Sequence, residues 1–216
     1  MKIVLIGATG FVGSAILKEA LQRGHQVIAL ARDTSKIRIS DPGLTLKNLD
    51  VADTAALAAA IKGNDVVISA FNAGWGNPDL YTDFLTGSKA IEAATAASGV
   101  KRLIVIGGAG SLEVNGQQLV DSPAFPEQFK AGATAARDYL AVLKENRLLD
   151  WTFFSPAIEM GPHVQTGRTG KYRLGNDNPV VDTNGKSVLS VEDLAVVILD
   201  EAESGQHIHR RFTAGY

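Results

Sequence analysis

The 216-residue chain has no cysteine. Disulfides, thiolate nucleophiles and thiolate zinc sites are therefore excluded, and the composition suits a reducing compartment. Charge of one sign is also scarce, with 21 lysines and arginines against 23 acids and a formal net charge of -2. No general basic field exists to attract nucleic acid, which is not an expected partner. Long apolar runs are missing. A bilayer span takes roughly 20 consecutive apolar residues, and no stretch approaches that length. The opening Met1-Lys2-Ile3-Val4-Leu5-Ile6-Gly7 is too short for a secretory apolar region, and no small-residue cleavage site follows it. A cytoplasmic protein with no membrane partner is the expectation. Internal repeats, low-complexity tracts and linkers are absent too. With 45% hydrophobic and 20% charged residues, residues 1–216 can fill the core of one domain.

What is present is a glycine pattern in a telling place. Gly7-Ala8-Thr9-Gly10-Phe11-Val12-Gly13 begins directly after the apolar run Lys2 to Ile6. A buried strand delivers the chain to a sheet edge, and glycine allows backbone angles and approaches that a Cβ would block. The helix that follows aims its unpaired N–H groups and positive dipole end at a diphosphate. The spacing is G-x-x-G-x-x-G rather than G-x-G-x-x-G. Position between a strand and a helix is what makes it a dinucleotide-binding turn. Gly7, Thr9, Gly10, Phe11, Val12 and Gly13 are the expected cofactor contacts.

The rest of the chain alternates strand and helix signals. Phe11 to Arg23 has helical apolar spacing and stops at Gly24. Strands are expected at Gln26 to Ala31, Leu44 to Leu49, Asp65 to Ala70, Arg102 to Ile106, Trp151 to Ser155 and Arg211 to Ala214. Helices are expected at Asp53 to Ile61, Asp79 to Ser98, Glu127 to Glu145 and Ser190 to Glu203. Ser190-Val191-Glu192-Asp193 reads as a capping box in which Asp193 reaches back. Continuous apolar strands alternating with helices predict an α/β fold, a Rossmann-type doubly wound parallel sheet. The Gly/Pro/Asn-rich stretch 156–187 breaks the alternation and reads as a small C-terminal substrate lobe beside the ligand crevice.

The end of the second strand selects the cofactor in this fold: an acid suits the ribose 2′-hydroxyl of NAD, an arginine the 2′-phosphate of NADP. Here the strand ends Leu30-Ala31-Arg32-Asp33. Arg32 offers a planar fork to a phosphate, so NADP (NADPH) is expected, while the neighbouring acid Asp33 keeps NAD possible. Asp50 and Val51, after the third strand, are placed to meet the adenine. Ala70, Phe71 and Asn72, after the fourth, should line the adenosine and ribose side.

Gly7 to Gly13, Arg32, Asp50-Val51, Asp65 to Ala70 and Ser190 to Ala195 together resemble the atypical short-chain dehydrogenase/reductase family over nearly the whole chain. Val105-Ile106-Gly107-Gly108-Ala109-Gly110-Ser111-Leu112 resembles the fifth-strand segment of bacterial NAD(P)H-flavin reductases, relatives of the biliverdin reductase B/flavin reductase type. The resemblance implies a reduced nicotinamide cofactor. It brings Gly107, Gly108 and, after the sixth strand, Pro156 toward the nicotinamide, and leaves Ser111, the nearest hydroxyl, as the candidate catalytic residue. Ordinary members of the superfamily carry a proton-donating tyrosine and, four residues later, a lysine. Phe129 and Ala133 hold those places here, and neither can donate a proton. Tyr139 and Lys144 lie five apart, further down the helix, and Tyr139 reads as packing.

A conjugated, electron-poor acceptor accepts hydride without a strong placed acid, so the missing pair favours a flavin, a quinone or a similar acceptor. Flavin would then be a substrate and not a tightly held cofactor. Phe71, Trp75, Phe125 and Phe129 are aromatics that could face a planar acceptor, and His163 a group that could orient it. His207 and His209 fall on one face of an extended stretch, but two ligands make no metal site. Two alternatives stand beside the reductase reading: a non-catalytic NADP-binding redox sensor, and an epimerase- or dehydratase-like enzyme acting on a nucleotide sugar. The partner is a small molecule, and the chain is expected as a monomer or a homodimer.

Overall fold

A computed structural model describes residues 1–216. The chain runs β1 (Lys2–Ile6), α1 (Phe11–Gln22), β2 (Gln26–Ala31), β3 (Leu44–Asn48), α2 (Thr54–Ile61), β4 (Val66–Ser69), α3 (Leu80–Ser98) and β5 (Arg102–Ile106). A hairpin of β6 (Glu113–Val114) and β7 (Gln117–Gln118) follows. Then come α4 (Glu127–Lys144), β8 (Asp150–Phe154), β9 (Arg173–Gly175), α5 (Val191–Ser204) and β10 (Arg210–Gly215). One eight-stranded sheet has the order β3-β2-β1-β4-β5-β8-β10-β9. It is parallel except for β9, which runs antiparallel to β10. The order reverses between β1 and β4, and this switch point opens a crevice beyond the carboxyl ends of the strands.

The two faces of the sheet are sorted by the side-chain alternation of each strand. Ile3, Leu5, Val27, Ala29, Ile68, Ile104, Phe154 and Phe212 pack under α1 and α5. Val4, Ile6, Leu30, Val67, Leu103, Val105, Trp151 and Phe153 pack under α2, α3 and α4. Because both faces are covered, the strands carry apolar residues in unbroken runs.

Local signals act where the sequence places them. Gly24, just past α1, has φ +76 and Gly99, past α3, has φ +83, the left-handed conformation that ends a helix and that glycine adopts freely. Asp53 caps α2 by accepting from Ala56 N at 3.0 Å, and Ser190 caps α5 by accepting from Asp193 N at 3.1 Å.

Three expectations change. Asp193 does not reach back to Ser190. Its carboxylate accepts from Thr169 N and Gly170 N at 2.8 Å and from Tyr216 Oη at 2.8 Å, because a buried carboxylate takes the most donors within reach. His207 and His209 do not share the face of a strand, since β10 begins only at Arg210. The His207 ring stacks on Phe212 and meets Glu201 at 2.6 Å, whereas His209 Nε2 lies 2.9 Å from Leu149 O. Finally, much of segment 156–187 is tied down away from the crevice. Arg168 binds Glu19 of α1, Thr169 and Gly170 bind Asp193 of α5, and β9 extends the sheet edge.

Candidate nucleotide-binding site

β1 ends at Ile6, and Gly7 turns the chain with φ +79. A Cβ on Gly7 would sit 2.4 Å from Ala70 O, and one on Gly13 would sit 2.1 Å from Gly7 O. Both clashes are with backbone, so no side-chain adjustment relieves them. Gly13 lets α1 lie against the turn, and Gly7 lets the turn lie against the end of β4. Gly10 N bonds Gly7 O at 3.0 Å and closes the loop. No side chain caps α1, and the N–H groups of Phe11, Val12 and Gly13 find no backbone acceptor. The helix start presents free donors to the crevice.

The crevice encloses a cavity of about 400 Å³. Its floor and walls come from four loops at the carboxyl edge: Gly7, Thr9 and Gly10 after β1; Arg32 after β2; Asp50 and Val51 after β3; Ala70, Phe71 and Asn72 after β4. These residues, distant in sequence, are brought together. Phe11, Val12 and Gly13 do not line it with side chains. Phe11 is exposed, Val12 packs partly on the core, and Gly13 is buried. What this turn of helix can offer a ligand is its backbone.

The pair Arg32-Asp33 is separated by local bonding. Asp33 caps the single turn Thr34–Lys36 by accepting from Ser35 N at 2.9 Å. Its hydrogen bonds with Ser35 and, less, the nearby Lys36 charge hold its carboxyl below the usual range. Arg32 lines the cavity, and no side chain or carbonyl bonds its guanidinium. Asp50 is also engaged, accepting from Ala52 N at 3.0 Å.

Sequence reading missed the wall supplied by α3, where Asp83, Thr86, Gly87 and Ala90 line the cavity. One signal was available. An isolated glycine inside a helix marks a close approach, and a Cβ on Gly87 would strike the Phe71 ring at 2.4 Å. Gly87 therefore seats Phe71, which also stacks on Phe84 with ring centroids 6.1 Å apart. Asn77 was missed as well. Its amide donates to Asp83 at 2.8 Å and fixes the loop that leads into α3.

Further along the same edge, beyond β5 and β8, lie Gly107, Gly108 and Pro156. Gly107 N bonds Phe154 O at 2.8 Å, and a Cβ there would overlap the Phe153 ring at 1.9 Å. The backbone of Gly107 and Gly108 is half-buried, while Pro156 is buried. Ser111, expected as the catalytic hydroxyl, is fully buried. It bonds Ser155 Oγ at 2.8 Å and Gly108 O at 2.9 Å, so it braces the two loops instead of facing a substrate. Tyr139 is also buried, bonding Glu92 at 3.1 Å. Burial and the adjacent Glu92 push its phenol well above the ordinary value. It packs in the core under α4, as its sequence position implied. Trp75 and Phe129 form an exposed edge-to-face pair with centroids 5.6 Å apart. Gly132 makes room for it, since a Cβ there would lie 2.9 Å from the Trp75 ring. His163 is exposed and packs over Gly161, and it does not line the cavity.

A glycine turn feeding an open helix start, at the switch point of a doubly wound sheet, defines a dinucleotide-binding Rossmann protein. Residues 7–204 match the NAD(P)H-binding family, and the chain belongs to that family. It is 38% identical to the uncharacterised protein YwnB of Bacillus subtilis (strain 168) across 99% of this chain and 97% of that protein. A crystal structure from Bacteroides thetaiotaomicron, of a protein provisionally named an epimerase, is 44% identical with a TM-score of 0.91, covering 100% of this chain and 96% of that one. Another, from Streptococcus pneumoniae TIGR4 and provisionally named an NADH-flavin reductase, is 33% identical with a TM-score of 0.87, covering 100% and 99%. No helix is long and apolar enough to cross a membrane.

Proposed function

We propose that the protein is an NADPH-dependent reductase of flavins, quinones or similar conjugated acceptors. The observation that carries this reading is the absence of a placed proton donor. Phe129 and Ala133 stand where a tyrosine and lysine would act, Tyr139 is locked in the core against Glu92, and Ser111 is spent on Ser155. The resemblance to a protein named as an NADH-flavin reductase supports the same class.

The residues present fit a dinucleotide. Gly7 and Gly13 leave room where a Cβ would collide with backbone. The free N–H groups of Phe11, Val12 and Gly13 suit the diphosphate. Arg32, without a partner of its own, suits a 2′-phosphate as a bidentate donor. Val51 and Phe71 offer apolar surface to the adenine side, and Gly107, Gly108 and Pro156 border the nicotinamide side. When bound, the reduced nicotinamide supplies a hydride. The Trp75–Phe129 pair, at the start of α4, gives a planar acceptor an aromatic edge to lie against. The proton an acceptor needs then comes from solvent, since Phe129 and Ala133 carry none and Tyr139 and Ser111 are buried.

The test follows NADPH absorbance with FMN, riboflavin and a soluble quinone, each offered separately. Turnover above the uncatalysed rate with at least one acceptor is expected. NADPH that binds tightly without turnover on any of them replaces this reading with that of a nucleotide sensor. Conversion of a nucleotide sugar replaces it with an epimerase, the word in the Bacteroides relative's name, against which Phe129 and Ala133 weigh.

A further inference from the structure

A second cavity, of about 430 Å³, lies on the α4 face near the starts of β8 and β10, at the sheet edge opposite the nucleotide crevice. Only one of its lining residues is apolar. Lys144, at the last residue of α4, Arg147, His209, Arg210 and Arg211 converge on it, and Asp177 is its one acidic lining residue. Two of these cations have structural partners. Arg147 donates to Lys144 O at 2.6 Å and closes the end of α4. Arg211 is buried and pairs with Asp177 and with Glu113. His209 Nε2 is 2.9 Å from Leu149 O, with Asp150 at 4.0 Å.

Lys144 and Arg210 have no such explanation. Neither charged group meets an acceptor in the fold. Both are exposed, and a lining with several cations and Asp177 as its one acid favours an anion among them. Trp151 lines this cavity and is 2% exposed, so its ring gives the cations a fixed wall and a nearby reporter.

We propose that this cavity is a second ligand site, taking a small multiply charged anion of the phosphate or diphosphate class. Lys144 and Arg210 supply the charge, and the Trp151 ring walls the site. Its lining shares no residue with that of the nucleotide crevice, so both ligands can be held at once. The site does not depend on the function proposed above.

Pyrophosphate is the probe, titrated by calorimetry at matched ionic strength into full-length protein saturated with NADPH, so that the nucleotide crevice is closed to it. Saturable binding is expected. In the Lys144→Gln/Arg210→Gln double variant it weakens by at least about tenfold, the loss expected for charge-assisted hydrogen bonds. Both residues are exposed, so the variant should fold. The Arg32→Gln variant should bind the probe as wild type does. No saturable binding overturns the proposal, as does binding that falls with Arg32→Gln and is untouched by the double variant. In proton–nitrogen NMR the two tryptophans give separate indole signals, assigned with Trp75→Phe. The Trp151 signal should move with pyrophosphate, and a stationary one overturns the site. Should NADPH fail to bind, the nucleotide reading fails alone, because the double variant and the Trp151 signal still report on this cavity.

Discussion

Replacing Arg32 with glutamine isolates one charge. The substitution keeps most of the side-chain length, and the guanidinium has no intramolecular bond to lose, so thermal stability should stay at the wild-type value. Against a 2′-phosphate the loss is different. Hydrogen bonds to charged groups contribute roughly 1.5–3 kcal/mol each. Arg32 is exposed, and solvent screening holds its contribution toward the lower end. A loss near about 1.5–2 kcal/mol lowers NADPH affinity roughly 10- to 30-fold. NADH has a hydroxyl at that position, so its affinity should be unchanged. Raising salt should shrink the NADPH advantage in the wild type and leave the variant nearly flat. Nicotinamide fluorescence titrated with protein reads the four affinities at each of two salt concentrations. Equal losses for the two nucleotides, or an unchanged NADPH affinity, would refute the assignment of Arg32 to the 2′-phosphate.

Other consequences are as direct. Gly87→Ala puts a methyl 2.4 Å from the Phe71 ring and must tilt that ring into the cavity. Urea unfolding should show a loss of about 1–3 kcal/mol, offset by up to about 1 kcal/mol of helix propensity, together with weaker NADPH binding. A more stable variant with full affinity would contradict the role of this glycine. Glu201, 3% exposed, holds Arg102 at 2.5 Å and His207 at 2.6 Å. Glu201→Gln leaves the Arg102 charge uncompensated and should cost about 3 kcal/mol, a drop of roughly 6–12 °C in melting temperature for a chain of this size. A change of less than a degree would mean that solvent reaches Arg102. Acid should act through Glu19, whose carboxyl is lowered from 4.5 to about 2, chiefly by Arg168 and then by Arg23, against the opposing effect of burial. A depressed acid stabilises the fold above its unfolded value, and the contribution disappears as pH falls from about 4.5 to about 2. It is at most about 3 kcal/mol, because Arg168 is half exposed. Between those pH values wild type should lose stability faster than Glu19→Gln, and parallel profiles would exclude the linkage.

The alternation of apolar strands and helices, the glycine turn at Gly7 to Gly13 and the arginine after β2 were legible in the amino-acid order, because each depends on residues a few positions apart. Period, cap and turn chemistry are local, and they determined the Rossmann sheet and which loops would meet at its edge. The long-range decisions were not legible. That Gly87 seats Phe71, and that Ser111 turns inward to Ser155, depends on which elements the packing brings within contact. The same holds for Asp193, drawn to Thr169 and Gly170 instead of its own helix start, and for the cations gathered around Trp151. Burial decides these outcomes. Whether a polar side chain faces a ligand or a partner is set by the neighbours that exclude water from it, and those neighbours lie tens of residues away along the chain.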